Sequence, residues 1–361
     1  MDARMWHRQA TATPTVPPDA LPTERFDALG AEEQDAYWTQ LSQQLPALVV
    51  PSVLTVRAER RLDGLVGVND RRPQGAKSVI GIDAPFAVGK STFVKAWAQH
   101  AYRERVGPGA PEVLPTWSPA PEMTADWVPQ VYITLRAASK IKDINASILA
   151  FLGYPSEGLV RVTTTRVVKV LATHGVRLLI VDDVHMLTTT HADGRAVLDY
   201  LKFLNTELGE LGGTLVLVGA HLEGGPLYQD PQVAGRLDKI TLAPYEITTV
   251  DGRADWQQFL RGLEELLLPY FDTVPAGTFS RQLAGHVWRR TQGYVGDTLR
   301  LLVQALLAGF DDAQDEMTRD LLGGVSLSAR ATSAEADLMA VAATTSNRRS
   351  RRTAQEPAGA N

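Results

Sequence analysis

The chain has 361 residues, 44% hydrophobic and 21% charged, a balance that suits a soluble globular protein with one large core and a smaller one. It contains no cysteine and seven scattered His, which excludes disulfides and thiolate metal sites. The net charge of −5 argues against a global nucleic-acid-binding field, and no apolar run nears the ~18 residues of a membrane span.

The first residues, "MDARMWHRQATATPTVPP", are polar and Pro-rich. They do not read as a signal peptide, so a cytoplasmic location and a disordered start to about residue 20 are expected. The first fifty residues hold three Arg against seven Asp and Glu, whereas Arg348, Arg349, Arg351 and Arg352 crowd the far end. Any nucleic-acid contact is therefore expected from a local basic patch.

"TERFDALGAEEQDAYWTQL" has helical spacing. "QGAKSVIGIDA" predicts a strand and "KSTFVKAWAQHAYRE" the helix after it. "GPGAPEVLPTWSPAPEM" reads as a Pro-rich surface loop. "WVPQVYITLRA" predicts a second strand and "IKDINASILAFLG" a helix ending at Gly153. "TTTRVVKVLATHG" reads as a helix closed by Gly175. The runs "VRLLIVDDVHML" and "GGTLVLVGAH" predict two buried strands separated by the helix "RAVLDYLKFLNTELGEL", and "LDKITLAP" predicts a fifth strand. Strands alternating with helices imply an α/β fold with a parallel five-stranded sheet flanked by helices. After Val250 the pattern is wholly helical.

"APFAVGKST", Ala84 to Thr92, follows the first strand and opens a helix. That context is what a phosphate-binding loop needs: backbone N–H groups converging on phosphates, a Lys, and a hydroxyl for Mg²⁺. Ala84, Pro85, Phe86, Ala87 and Val88 would form the loop, with Gly89, Lys90, Ser91 and Thr92 at the helix start. The glycine that cannot be spared is Gly89, where backbone approaches phosphate. Ala84 replaces the usual first glycine at little cost, because Pro85 biases it to an extended conformation. Ala87 is the less comfortable departure.

The strand "RLLIVDD" ends in two acids. Asp182 is expected to hold Mg²⁺ beside Ser91, and Asp183 to orient the attacking water. Where related ATPases place Glu, Asp183 is one methylene shorter, and a base displaced by ~1 Å costs about a hundredfold. Slow hydrolysis is expected. Gly219 and Ala220 have no side-chain donor, which leaves His221 as either a γ-phosphate sensor or a plain loop histidine. Arg236, before the fifth strand, is either an arginine finger reaching a neighbouring subunit or a surface ion pair. Arg300, in a helix of the last region, is either a γ-phosphate contact or a solvated side chain. Arg136, Lys140 and Lys142 make a basic loop after the second strand that either meets nucleic acid or is a solvated turn.

With these residues in place the chain resembles an AAA+ P-loop ATPase, and within that superfamily the TniB/TnsC-type transposition regulators. The likeness spans roughly residues 25 to 325. It rests on "FDALGAEEQDAY", "VPSVLTVRAERRLDGLVGVNDRRPQG", "LLIVDDVHML", "FLNTELGELGGTLVLVGAH" and "GYVGDTLRLL". The resemblance implies an ATP- and Mg²⁺-dependent homo-oligomer, a ring or a filament, that winds on duplex DNA without sequence preference. It implies Arg136, Lys140 and Lys142 as pore-facing DNA contacts, an integrase-type transposase as partner, a target-selector protein as a further one, and no membrane. Departures are Ala84, Ala87, Asp183 and Ala220, where the family tends to place a hydroxyl. The rivals are an IstB/DnaA-like helicase or transposase helper, and a signalling AAA+ ATPase. The latter needs an appended domain, for which the residues after Val325 are expected to leave no room. The expected organisation is a partly disordered N-terminal extension with a helix (1–50), an ATPase core (51–247), a small helical lid (248–325) and a basic, flexible tail (326–361).

Overall fold

The Val-, Ile- and Leu-rich runs line up as one parallel sheet in the computed structural model, which describes all residues except 14–16, 108–111, 187–191, 224, 226–227, 229–230, 312–316 and 354–361. In chain order the strands are β1 (Val79–Asp83), β2 (Thr116–Ala120), β3 (Met123–Asp126), β4 (Gln130–Thr134), β5 (Leu178–Asp182), β6 (Thr214–Gly219) and β7 (Leu237–Thr241). Five of them form the sheet in the order β4-β5-β6-β1-β7, every pair parallel. β1, β5 and β6 are buried at every position, as expected of strands covered on both faces. The register pairs Asp83 with Gly219 and Thr134 with Asp182. The ends of β1, β4, β5 and β6 therefore share the carboxyl edge, where α/β sheets bind ligands.

The helices are α1 (Ala3–Thr11), α2 (Thr23–Asp27), α3 (Ala31–Gln44), α4 (Val53–Arg71), α5 (Lys90–Val106), α6 (Ile141–Phe151), α7 (Val160–Thr173), α8 (Ala192–Glu210), α9 (Pro231–Ala234), α10 (Val250–Leu267), α11 (Ala284–Thr291), α12 (Val295–Asp311), α13 (Arg319–Gly324) and α14 (Ala329–Thr353). The chain divides into two compact units. The first, Met1–Pro14 with Leu54–Ala243, holds the sheet. The second, Thr15–Val53 with Pro244–Asn361, is helical. The N-terminal extension is thus shared between the two.

Three stretches differ from the sequence expectation, and a fourth, before the phosphate loop, carried none. The start is a helix: Asp2 caps α1 by accepting from Met5 N at 2.8 Å. Ala3, Trp6 and Ala10 fall on one face of α1 and are buried in the core of the first unit. From Thr116 the Pro-rich stretch is no open loop but runs into the β2–β3 hairpin. Trp117 Nε1 donates to Thr173 O at 2.9 Å, and a Cβ on Gly175, itself at φ +64°, would meet that indole at 2.9 Å. The segment before the phosphate loop forms α4, whose turn into β1 is locked by a buried lysine. Lys77 Nζ donates to Asn69 O (2.8 Å), in the last turn of the helix, and to Arg72 O (2.6 Å), just past its end. Asn69 and Asn205 side chains close the junction by donating to Ser78 O and Lys77 O. That is what "NDRRPQGAKS" encodes.

Within the expected flexible tail, Ala329–Thr353 form helix α14, and residues 354–361 lie outside the described residues. Its first turn is fastened by Arg330, which pairs with the buried Asp297 at 2.5 Å and stacks on the Tyr294 ring at 3.6 Å. Arg290 Nε, on α11, pairs with Glu335 at 3.0 Å. In the same unit the buried Glu264 of α10 accepts from Phe279 N, Ser280 N and Ser280 Oγ. This satisfies the start of a π-helical turn, Thr278–Gln282.

Candidate functional site

Left-handed backbone gathers at one edge of the sheet. Among the described residues six non-glycine residues have positive φ, and four of them follow its strands: Ala87 (63°) after β1, Ala138 (57°) after β4, Asp183 (59°) after β5 and His221 (51°) after β6. Each costs a residue with a Cβ of order 1–3 kcal/mol, and such strain clusters where loops are aimed at a function.

β1 ends at Asp83, whose carboxylate accepts from Leu222 N (2.9 Å) and Glu223 N (3.3 Å) and so holds the loop after β6. Ala84 is buried and donates its N–H to Gly219 O at 3.2 Å. Its backbone is not left-handed, so no glycine is needed there. Ala87 is the position where glycine would remove strain. Gly89 (φ 90°) caps α5, and a Cβ built on it would find no atom within 4 Å. Lys90, Ser91 and Thr92 form the first turn of this 17-residue helix, whose unpaired N–H groups and dipole favour an anion.

Lys90 Nζ reaches across to Asp183 Oδ1 at 3.2 Å. Asp182 is 1% exposed. Its Oδ2 accepts from Tyr132 OH at 2.6 Å and its Oδ1 from Asp183 N at 2.8 Å. Burial, reinforced by the Asp182 carboxylate, pushes the Tyr132 hydroxyl far above its ordinary value and makes it a donor. His185 stands on the other side of Asp183, its Nδ1 3.9 Å from Oδ1. Burial, then Lys90, lowers the His185 pKa against the opposing pull of Asp183. Its Nδ1 accepts from Ala220 N at 3.3 Å. The Phe86 ring lies 5.2 Å from His185 and 5.5 Å from His221.

A strand, a phosphate-type loop opening a helix, and a second strand ending in paired acids all meet at one sheet edge. The model of the bacterial TniB protein family matches residues 57–247, more than half of the chain. The chain belongs to the TniB family.

No curated protein matches. Among solved structures the chain is similar to Cdc6p from Pyrobaculum aerophilum, at TM-score 0.50 and 16% identity over 77% of this chain and 70% of that one. It is also similar to Drosophila ORC bound to DNA (TM-score 0.49, 15% identity, 88% and 70% covered) and to the ADP form of Aeropyrum pernix ORC2 (0.47, 17%, 87% and 70%). The fold of this TniB chain is that of an AAA+ ATPase, a nucleotide-binding enzyme that hydrolyses ATP.

The donor set of the TniB site fits Mg²⁺. A serine hydroxyl and one carboxylate suit a hard cation that keeps several waters and takes phosphate oxygens as further ligands. Among the described residues no cluster of three or more His, Asp or Glu offers an all-protein cage.

Arg136, Lys140 and Lys142 are exposed in the loop after β4 and the first turn of α6. Ser139 ties that loop to Arg136, Ala138 N donates to Met186 O at 3.1 Å, and Asp143 accepts from Lys140 N. The basic loop is therefore bonded to the turn that carries Asp183 and His185. Arg236 is exposed at the amino edge, since Leu237 pairs with Val79. It lines an open cleft of about 520 Å³ with Leu201, Phe203 and Leu217. Arg300 is exposed on α12 in the second unit. Among the described residues no helix is long and apolar enough to cross a membrane.

Sequence reading missed Tyr132, His185 and Asp83. The first had a signal: Tyr132 lies two residues before Thr134, which pairs with Asp182, so period-2 alternation turns it toward that acid.

Proposed function

We propose that this TniB chain uses ATP to assemble on duplex DNA, where it selects or marks a target and recruits an integrase-type transposase. The observation that carries the reading is the meeting of Lys90, Asp182 and Asp183 at the carboxyl edge, with Lys90 Nζ 3.2 Å from Asp183. The backbone of Ala84–Val88 and Gly89 wraps the phosphates, and Lys90 exchanges Asp183 for the β- and γ-phosphate oxygens. Ser91 Oγ and Asp182 would hold Mg²⁺, which supplies charge neutralisation at the phosphates. Asp183, released from Lys90, orients the attacking water. Its short side chain makes hydrolysis slow.

Arg236 serves a neighbouring subunit. It immediately precedes β7, whose far end, Thr241, pairs with Asp83, so it stands about 16 Å along the sheet from its own phosphate loop. Arg300, on α12, is a further candidate for contact with the γ-phosphate. The exposed Arg136, Lys140 and Lys142 meet backbone phosphates and read no base, so binding is sequence-independent and salt-sensitive. A target-selector protein is a further partner, and the assembly is a ring or a helical filament.

Two measurements test this. ATP turnover should rise on adding duplex DNA at low salt, and the chain should retain an integrase-type transposase in pull-down. No stimulation by DNA removes nucleic acid from the reading. Stimulation without retention of the integrase favours the IstB/DnaA-like helper.

A further inference from the structure

The N-terminal helix α1 is remote in sequence from every motif, yet its packing leads to both candidate metal ligands. Trp6 is 1% exposed and stacks on Tyr132, with ring centroids 5.4 Å apart and planes at 17°. Lys95, one turn beyond Ser91 on α5, places its ammonium 5.7 Å from the same ring. The hydroxyl of that ring holds Asp182 Oδ2 at 2.6 Å. On its other side α1 is bound to α5 itself: His7 Nδ1 is hydrogen-bonded to Tyr102 OH at 2.9 Å, and Arg103 Nη1 donates to Ala10 O at 2.8 Å. α5 begins at Lys90 and carries Ser91.

We propose that Tyr132 is a positioning residue for Asp182 and that α1, through Trp6, is the element that holds it in place, so that the N-terminal segment sets the affinity for the divalent cation. The inference rests on the reading that Asp182 and Ser91 hold Mg²⁺. Asp182 has both oxygens engaged, Oδ2 by Tyr132 and Oδ1 by Asp183 N. The carboxylate cannot swing about its own bond, and each oxygen keeps a lone pair for a metal or its water. Outer-shell partners of this kind orient a ligand and raise its affinity. The Trp6 indole covers the ring face and so fixes the plane in which the Tyr132 hydroxyl meets Asp182 Oδ2. Trp6 Nε1 is itself buried with no hydrogen-bond partner among the described residues, a penalty of about 1–3 kcal/mol. A residue kept at that cost is there for its stacked ring.

The test uses the full chain, with Mn²⁺ as probe, titrated by electron paramagnetic resonance at saturating ADP. ADP affinity is measured separately in EDTA. Tyr132→Phe, which removes one oxygen, should weaken Mn²⁺ about tenfold and leave metal-free ADP affinity unchanged. Trp6→Ala should do the same, and Trp6→Phe, which keeps a stacked ring, should recover most of the loss. Wild-type Mn²⁺ affinity in Tyr132→Phe overturns the positioning role even if Trp6→Ala fails to fold. Equal loss of metal-bound and metal-free ADP binding also overturns it, since that marks a general loosening of the site. Asp182→Asn is the separate control: if it leaves Mn²⁺ affinity unchanged, the metal assignment itself is wrong.

Discussion

Lys90 Nζ and Asp183 Oδ1 stand 3.2 Å apart, with side chains only 11% and 27% exposed. The pair brings together the two motifs of the site, 93 residues apart in sequence. A phosphate arriving at Gly89 competes with Asp183 for the same ammonium. Charge-assisted contacts in a shielded site are strong, so this competition sets nucleotide affinity.

Removing either partner should therefore have opposite effects. Lys90→Ala is expected to abolish nucleotide binding in calorimetry. Asp183→Asn should leave affinity equal or higher, because Lys90 is no longer held, while turnover falls at least about tenfold. Wild-type nucleotide affinity in Lys90→Ala would refute the site.

Arg236 should act in trans. Arg236→Ala and Asp183→Asn are each expected to be nearly inactive alone. Their mixture should regain part of the ATPase rate, since some interfaces join an intact Arg236 to an intact Asp183. Mixtures no better than either variant would place Arg236 outside the reaction.

The basic loop predicts a change in slope more than an end to binding. Lys140→Ala with Lys142→Ala should reduce the dependence of log K on log salt by roughly 2 for duplex DNA, about one for each phosphate no longer neutralised. ATP affinity should not move. An unaltered salt series would put the DNA surface elsewhere.

The helix α14 should contribute stability. Arg330 stacks on Tyr294 and neutralises Asp297, which is only 8% exposed. Arg330→Ala leaves that carboxylate buried and uncompensated, at an expected cost of about 3 kcal/mol in urea unfolding. Adding Asp297→Ala should recover part of the loss; strict additivity would mean that the two do not interact.

Acid should destabilise the helical unit through His286. Burial, then Arg289, Arg290 and Arg319, lowers its pKa, with Glu335 opposing. Its Nε2 is buried without a partner among the described residues. The unfolded chain therefore binds the proton better, and stability is whole above about pH 6.5 and lost as pH falls below that value. The melting temperature should drop between about pH 7.5 and about pH 5.5, by less in His286→Gln. An identical drop in the variant would assign the effect to other groups.

Local structure was legible in the sequence. The loop from Ala84 to Thr92, the strand ending in Asp182 and Asp183, and the alternation of strands and helices are written in contiguous residues, because each needs only its own backbone geometry and apolar period. The start and the end of the chain were misread for the opposite reason. α1 and α14 are polar by composition, and their few apolar or cationic anchors gain meaning only against partners far away: Trp6 against Tyr132, and Arg330 against Asp297 and Tyr294. The edge on which each candidate side chain stands was likewise decided by strand register. That register puts Asp83 beside Gly219, and Arg236 at the opposite edge of the sheet. Burial and pairing between distant segments are properties of the packed sheet, and no short stretch of sequence carries them.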